Sequence, residues 1–310
     1  MCSNRGKIMI AFDKINISTI RSAKGDCINL HFVGDSGIPH NIIIDSGPSS
    51  AAGEFRRLIS QIISTGEQLD ALFVTHYDDD HIGGILKIGD QGFRDFYFNA
   101  YDGTEQSGNL SAAQNQRLFH VLPGANVHNS VLAGDIIELD GARIIVYAPT
   151  EKMLSRSMQK MIEADAPLAM VCDWNYSLDD LMAMPCPCSD SSIANQASIV
   201  FSFEYGSHRF LFSGDAWAEN IPGGEYDLVK LPHHGSVRNI SDDMLSRLKA
   251  DAFLICADGT RHPNKQTVAK LLQKYGRVTI YSNYFWWLDG FLKAEDMKYI
   301  QNGQLTFRNV

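Results

Sequence analysis

Short apolar runs that end in acids and imidazoles constrain this chain more than any other feature of its sequence. Asn41-Ile42-Ile43-Ile44 leads into Asp45-Ser46-Gly47, Leu69 to Thr75 leads into His76-Tyr77-Asp78-Asp79-Asp80-His81, and Leu211-Phe212 leads into Ser213-Gly214-Asp215. A fourth run, over 226–231, leads into Pro232-His233-His234-Gly235-Ser236. Brief β-branched and aromatic stretches bounded by Gly, Pro, Asp or Ser read as buried strands. A chain that repeatedly delivers polar, lone-pair-bearing side chains at strand ends is arranged to gather them.

The rest of the pattern agrees with an α/β chain. Residues 8–20, 27–33 and 41–45 run or alternate apolar, and Gly25-Asp26 and Gly34-Asp35-Ser36-Gly37 punctuate them, which predicts an antiparallel β start. Ala51 to Ser64 predicts a helix with Phe55, Ile59, Ile62 and Ile63 on its apolar face. Later strand-like runs fall at 142–147, 198–204, 208–213, 226–231, 252–256 and 277–281, with helical patterns near 240–249 and 265–274.

Composition sets limits on function. With 310 residues and 45% apolar content the chain can bury a large core, and without repeats or low-complexity tracts we expect one compact unit over 1–310. The segment from about Thr150 to Ala194, rich in Met and acids and holding Trp174 and Tyr176, reads as an insertion, either a peripheral helical cap or a lid that contacts substrate. A formal charge of −9 argues against gripping nucleic acid over a broad surface, but not against a small anionic substrate held by metals. No apolar run is long enough for a membrane span and the first residues lack a signal-peptide pattern, so the expectation is a soluble, cytoplasmic protein. Six scattered cysteines predict reduced thiols, and Cys186-Pro187-Cys188 lacks the second pair and the spacing of a structural zinc site.

The chemistry concentrates in 76–81. His76, Asp78, Asp80 and His81 can each offer a lone pair to a divalent cation, between an apolar strand and a Gly83-Gly84 turn. A solvated acidic loop is the bland reading, but at a buried strand end these groups would repel or remain unpaired without a cation. On an extended loop, residues two apart project to the same side, so His76 and Asp78 can share one metal while Asp80 and His81 reach a neighbour. Asp215 could bridge both, and His233, His234 and the His262 of Arg261-His262-Pro263 supply further imidazoles.

Together these pieces resemble the metallo-β-lactamase superfamily, and within it the branch that includes the hydrolase domain of the competence DNA-uptake channel and related phosphodiesterases. The matching stretches are Gly25-Asp26, Ile44 to Gly47, Thr75 to Gly84, Asn195 to Val200, Ser213 to Asp215, Lys230 to Ser236 and His262-Pro263, in family order. The resemblance implies a four-layer αββα sandwich. It implies that His76 and Asp78 bind one metal and Asp80 and His81 the other, with Asp215 between them and Asp45 supporting the ligands from behind. His262 matches the last histidine ligand, while His233-His234 matches a position that supplies either a ligand or a proton donor; which of His234 and His262 completes the second metal stays open. Asp78 stands where a third histidine is usual, and Asn195 at another histidine position, so the first metal site is weakened.

Two divalent cations, Zn²⁺ or Mn²⁺, follow from the resemblance, and the oxygens of Asp78, Asp80 and Asp215 tilt the preference towards Mn²⁺. The implied reaction is hydrolysis of a phosphodiester in DNA, RNA or a nucleotide by a hydroxide bridging the metals, with Asp80 in the catalytic centre and His233 or His234 protonating the leaving oxygen. Ser236 would hold a non-bridging oxygen or simply form the turn. The alternatives are hydrolysis of a non-nucleotide phosphoester or lactone, and a metal-stabilised regulatory module without turnover. His31, His40, His120, His128 and His208 read as surface or core imidazoles, and Phe285-Trp286-Trp287 as a core cluster rather than a base-stacking platform.

Overall fold

Alternation sorts the side chains of a strand onto two faces, and here both faces are used. A computed structural model describes residues 9–99, 117–118, 120–121, 125–160, 172–187 and 189–310. One sheet takes its strands in chain order: β1 (Ile10–Phe12), β2 (Ile15–Thr19), β3 (Ile28–Val33), β4 (Pro39–Ile44), β5 (Ala71–Phe73), β6 (Asp95–Phe98) and β7 (Asn126–Asn129). β1 to β4 pair antiparallel. β4 to β7 pair parallel, with α1 (Ala52–Ser64) and α2 (Asp79–Ile88) in the first two crossovers.

The second sheet holds β8 (Ile136–Leu139), β9 (Ala142–Ala148), β10 (Val200–Tyr205), β11 (His208–Phe212), β13 (Leu228–Lys230), β15 (Ala252–Ile255), β16 (Val278–Ser282) and β17 (Leu305–Asn309), in the order β17-β16-β15-β13-β11-β10-β9-β8. It too begins antiparallel, through β11, and continues parallel. A separate two-strand ladder joins β12 (Gly224–Glu225) to β14 (Leu248–Lys249).

Alternation explains the layers. Ile42, Ile44 and Phe73 pack inward against Val146, Phe201, Phe203 and Phe212 of the facing sheet, with Phe73 and Phe201 ring centroids 4.8 Å apart. Their strand neighbours Ile43 and Leu72 turn outward onto Phe55, Leu58, Ile59 and Ile62 of α1 and Ile82 and Ile85 of α2. On the other side, Leu211, Val229, Phe253 and Ile255 turn outward onto Met244, Leu245, Val268, Leu271 and Leu272. The result is helix, sheet, sheet, helix: the four-layer αββα sandwich. Each fully buried large apolar side chain contributes about 1.5–3 kcal/mol.

Several local expectations change. The 8–20 run is broken by a turn at Asp13-Lys14, with Asp13 at φ 33°, into two strands. Ile63 is 51% exposed, while Leu58 is buried in its place; Ile63 lies one residue round the helix from Ile62 and so leaves the buried stripe. Gly83-Gly84 is no turn: both lie inside α2, which packs so closely on the 46–49 segment that a Cβ would stand 2.3 Å from Ser49 N and 2.1 Å from Ser46 O respectively. The 240–249 pattern is shorter as a helix, Asp242–Arg247, and runs on into β14.

Of the 150–194 segment, 161–171 and Cys188 lie outside the described residues, as does Cys2. Of the described remainder, 173–185 packs on the helix Lys265–Tyr275, where Asp173 accepts from the amides of Lys265 and Gln266 at 2.9 and 2.8 Å, whereas Ser157 of the helix Glu151–Lys160 reaches Tyr77 at 3.2 Å. Among the described residues no helix is long and apolar enough to cross a membrane.

Candidate metal centre

The strand-end residues meet at one edge of the sandwich. After β5 the chain stays extended to Asp78, and α2 starts at Asp79, so Asp80 and His81 sit in a first helical turn rather than on a continuing loop. Carboxylates in that turn suit the positive end of the helix dipole. Ser46 fastens the turn, its backbone N–H and hydroxyl both donating to His81 O at 2.7 and 2.8 Å, while the Ile85 amide donates to Ser46 Oγ at 3.0 Å.

Asp215 occupies the middle. Its Oδ1 is 3.4 Å from His81 Nε2, and its Oδ2 is 3.9 Å from His76 Nε2, 3.5 Å from His234 Nε2 and 3.8 Å from His233 Nε2. Asp78 Oδ2 is 3.6 Å from His76 Nε2, and Asp80 Oδ2 is 3.8 Å from His234 Nε2. Nε2 of His76, His81 and His234 and Oδ1 of Asp215 are buried without a hydrogen-bond partner. Buried polar atoms are normally paired, so this convergence fits divalent cations that would complete them. Ligand atoms of His76, His81 and Asp215, and of Asp80, His81 and His234, lie within 4.8 Å of one another.

The outward nitrogens are held. Asp45 Oδ2 is 2.8 Å from His81 Nδ1, and the same carboxylate accepts from Thr75 N and Oγ1 at 2.7 and 2.8 Å. His234 Nδ1 lies 3.0 Å from Cys256 O and 3.2 Å from Asp26 Oδ1, and Asp26 Oδ2 takes the ammonium of Lys230 at 2.6 Å. His233 Nδ1 faces Asn239 Oδ1 at 3.1 Å, Asn195 Nδ2 at 3.3 Å and Asp190 Oδ2 at 3.6 Å. Asn195 therefore sits behind His233, bonded to Asp190 at 2.7 Å, instead of facing Asp215 directly. Ser236 Oγ accepts from the Arg238 amide and caps the following turn. The ring of His262 lies 5.0 Å from that of His233 and 6.3 Å from that of His234, and its Nδ1 is likewise buried without a hydrogen-bond partner.

Electrostatics follow from the crowd of carboxylates. Burial disfavours charge on His81 and His234, yet Asp215 with Asp45 raises His81 well above the usual imidazole value, and Asp215 with Asp26 raises His234 to about 10. Asp215 itself is held well below the usual carboxylate range, against its burial, by His234, His81 and His233. His262 goes the other way, pushed down to about 3 by burial and by the neighbouring His233 and His234. Protons and cations compete for the same lone pairs, so the carboxylates that draw protons to these imidazoles would also draw a cation that displaces them.

Asp26, Lys230, Asp190 and Asn239 were not recognised from sequence as site residues. Only the position of Asp26 and Lys230 inside matched stretches hinted at them. The other histidines find partners elsewhere: His31 with Glu67, His40 with Asp70 and Asp140, His128 with Asp95 and His208 with Asp227, while His120 is exposed. Trp286 is buried and donates to Ser282, Trp287 is half-buried and stacks on Phe307, and Phe285 is exposed, so of the aromatic trio only Trp286 lies fully in the core.

Comparison with known proteins agrees with the architecture. Residues 40–93, which carry β4, α1, β5 and the 76–81 segment, match the family model described as the metallo-beta-lactamase superfamily. The chain has the metallo-β-lactamase fold. A curated relative, ComE operon protein 3 of Bacillus subtilis, is 22% identical over 86% of this chain, and the chain spans 35% of that relative's length. Among solved structures, the metallo-β-lactamase fold protein YhfI of Bacillus subtilis is 12% identical, with 96% of this chain and 97% of that one covered at a TM-score of 0.47. A putative metal-dependent hydrolase of Parabacteroides distasonis is 10% identical, with 98% of each chain covered at a TM-score of 0.45.

Proposed function

We propose that this metallo-β-lactamase-fold chain is a metal-dependent phosphodiesterase or nuclease acting on DNA, RNA or a nucleotide, with two divalent cations in the centre. The observation that carries the reading is the convergence of buried, unpartnered nitrogens of His76, His81 and His234 on Asp215. His76 and Asp78 would hold one cation, Asp80 and His81 the other, and Asp215 would contact both. When bound, such cations lower the pKa of water towards neutrality and stabilise negative charge on a phosphoryl oxygen.

The chain's own groups supply the rest. Asp45 fixes the ring of His81, leaving its Nε2 lone pair turned inward. His233 is partly exposed, with Nε2 directed towards Asp215 and Nδ1 held by Asn239, Asn195 and Asp190. It is placed to protonate a leaving oxygen at the mouth of the centre, worth about 10²–10⁴ in rate. The oxygens of Asp78, Asp80 and Asp215 favour Mn²⁺ over Zn²⁺. The resemblance of the 76–81, 213–215 and 230–236 motifs to the hydrolase domain of the competence DNA-uptake channel supports a nucleic-acid substrate. The net charge of −9 favours the second reading, a smaller non-nucleotide phosphoester or a lactone.

Incubating metal-loaded protein with bis-p-nitrophenyl phosphate, single-stranded DNA, duplex DNA and a lactone panel separates these readings, with Asp80→Ala as the control. Turnover of the phosphodiesters that is lost in Asp80→Ala is the expected result. Turnover of lactones alone transfers the function to the second reading, and equal rates for wild type and variant on every substrate would leave a binding module.

A further inference from the structure

We infer that Tyr284 and Arg21 form a stacking platform on one wall of the centre's mouth that takes an unpaired nucleobase, so that the substrate is a single-stranded nucleic acid rather than a duplex. The inference rests on the phosphodiesterase reading above and names its substrate class.

Strand direction brings the parts to one edge. β4 and β5 run parallel and lead into Asp45 and His76, and β3 and β2 alternate in direction from β4, so the loop after β2 opens at that edge. β15 and β16 run parallel to β13, which leads into His233 and His234, so the segments after Ile255 and Ser282 open there too.

These loops join into a wall that runs from Asp80 round to His233. Gly25 abuts Asp80: a Cβ on it would stand 2.0 Å from Asp80 O, and the Asp26 amide donates to that oxygen at 3.2 Å. Two residues before Gly25, the Ala23 amide donates to Tyr284 Oη at 2.9 Å. Asn283 ties both sides, its Nδ2 donating to Ile20 O at 2.9 Å and its Oδ1 accepting from the Ala257 amide at 3.0 Å. Further round, Gly259 N donates to His262 O at 3.1 Å, Trp174 Nε1 donates to Pro263 O at 3.2 Å, and the His262 ring lies 5.0 Å from that of His233.

The platform is held before any ligand arrives. Tyr284 is fixed at its hydroxyl by Ala23 and at its backbone through Asn283, so little freedom is lost when a flat ring settles on it. Ala23 sits in the left-handed region at φ 53°, a conformation that costs a non-glycine residue energy and persists where its surroundings hold it. The Arg21 guanidinium lies over the Tyr284 ring, 5.7 Å from its centroid, with Arg21 exposed and Tyr284 half-buried. Guanidinium planes and aromatic rings are both surfaces on which unpaired bases stack.

Charge on the wall suits the flanking phosphates. Lys24 and Arg261 are exposed along it. The acids that act on Tyr284 are already engaged, Asp258 by the amide and hydroxyl of Thr260 at 2.9 and 2.7 Å and Glu54 by Arg57 at 2.6 Å. On a chain of net charge −9, attraction for a polyanion is thereby confined to the mouth. A duplex covers its base faces with neighbouring bases, whereas a single strand can turn one out onto the platform.

The test measures, by fluorescence anisotropy, binding of a short phosphorothioate-linked single strand, which resists hydrolysis, and of the matching duplex to the Mn²⁺-loaded chain. The single strand should bind at least about tenfold more tightly, Tyr284→Leu should weaken it about 5–100-fold, and Tyr284→Phe, which keeps the ring, should stay within about threefold of wild type. Arg21→Gln should lower the slope of log affinity against log salt by about 0.7. Arg143→Gln removes the same charge at the start of β9, the opposite end of the sandwich, and should leave that slope unchanged. Irradiating wild type with a strand that carries iodouracil decides independently of how the variants fold, since the cross-link should fall on Tyr284. A cross-link elsewhere alone, or a duplex bound as tightly as the single strand, overturns the inference. Turnover of lactones alone overturns the phosphodiesterase reading and this inference with it, whereas phosphodiester turnover with unchanged strand affinity in Tyr284→Leu overturns this inference alone.

Discussion

The carboxylate of Asp45 and the imidazole of His81 stand 2.8 Å apart with no solvent exposure on either side chain. Because the same carboxylate takes the amide and hydroxyl of Thr75, it ties the end of β5 to the first turn of α2. Asp45→Ala should weaken Mn²⁺ binding about 10–100-fold while leaving the donor atoms in the chain. Isothermal titration with Mn²⁺ checks this, and an unchanged affinity would remove Asp45 from the account.

Lys230 and Asp26 form a buried ion pair, each side chain at most 2% exposed. Removing one partner strands the other charge in a dry interior. Lys230→Met should therefore cost about 3–5 kcal/mol in urea denaturation, and the added change Asp26→Leu should recover much of that loss. Additive losses in the double variant would show that the two side chains act separately.

Gly84 is required by a close approach. A Cβ there would lie 2.1 Å from the Ser46 carbonyl oxygen, so Gly84→Ala must move α2 and with it Asp80 and His81. Gly53 in α1 has nothing within 4 Å of such an atom and is exposed. Gly53→Ala should stabilise by up to about 1 kcal/mol with metal binding unchanged. Equal metal affinity in both variants would contradict the role given to the α2 contact.

Acid should destabilise the fold partly through Asp95. Burial would raise its pKa, but Arg94 and His128 outweigh this and hold it below the usual carboxylate value. A folded-state pKa below that of the unfolded chain contributes stability above about pH 4, which is lost as pH falls through the lower folded value. Denaturation midpoints from pH 7 down to 3 should therefore decline less in Asp95→Asn than in wild type. Parallel declines would assign the acid limb elsewhere.

Metal removal gives the simplest functional check. Chelation should abolish phosphodiesterase turnover and lower the melting temperature, and Mn²⁺ should restore both. Restoration by Zn²⁺ with none by Mn²⁺ would reverse the metal preference argued from the carboxylate oxygens.

Much of the fold was readable because local pattern and tertiary burial agree. Ile42 to Ile44 and Leu211-Phe212 are apolar on both faces, and their strands are covered on both sides. β7 was unreadable for the opposite reason: Asn126–Asn129 is exposed along its whole length and carries no apolar alternation. The terminal β17, Leu-Thr-Phe-Arg-Asn, is a strand because β16 offers it a parallel edge.

The sequence by itself determined which groups could hold cations, since His76, Asp78, Asp80, His81, Asp215, His234 and His262 announce themselves by type and by their place after apolar runs. Only the tertiary structure decided how they are arranged. Spacing along a chain says nothing about which nitrogen of a ring faces inward, and that depends on Asp45, Asp26, Lys230 and Asp190 arriving from other strands and loops. Hydrogen-bond direction is a property of three-dimensional neighbours, which is why His234 and His262 look equivalent as letters and stand in different places as side chains.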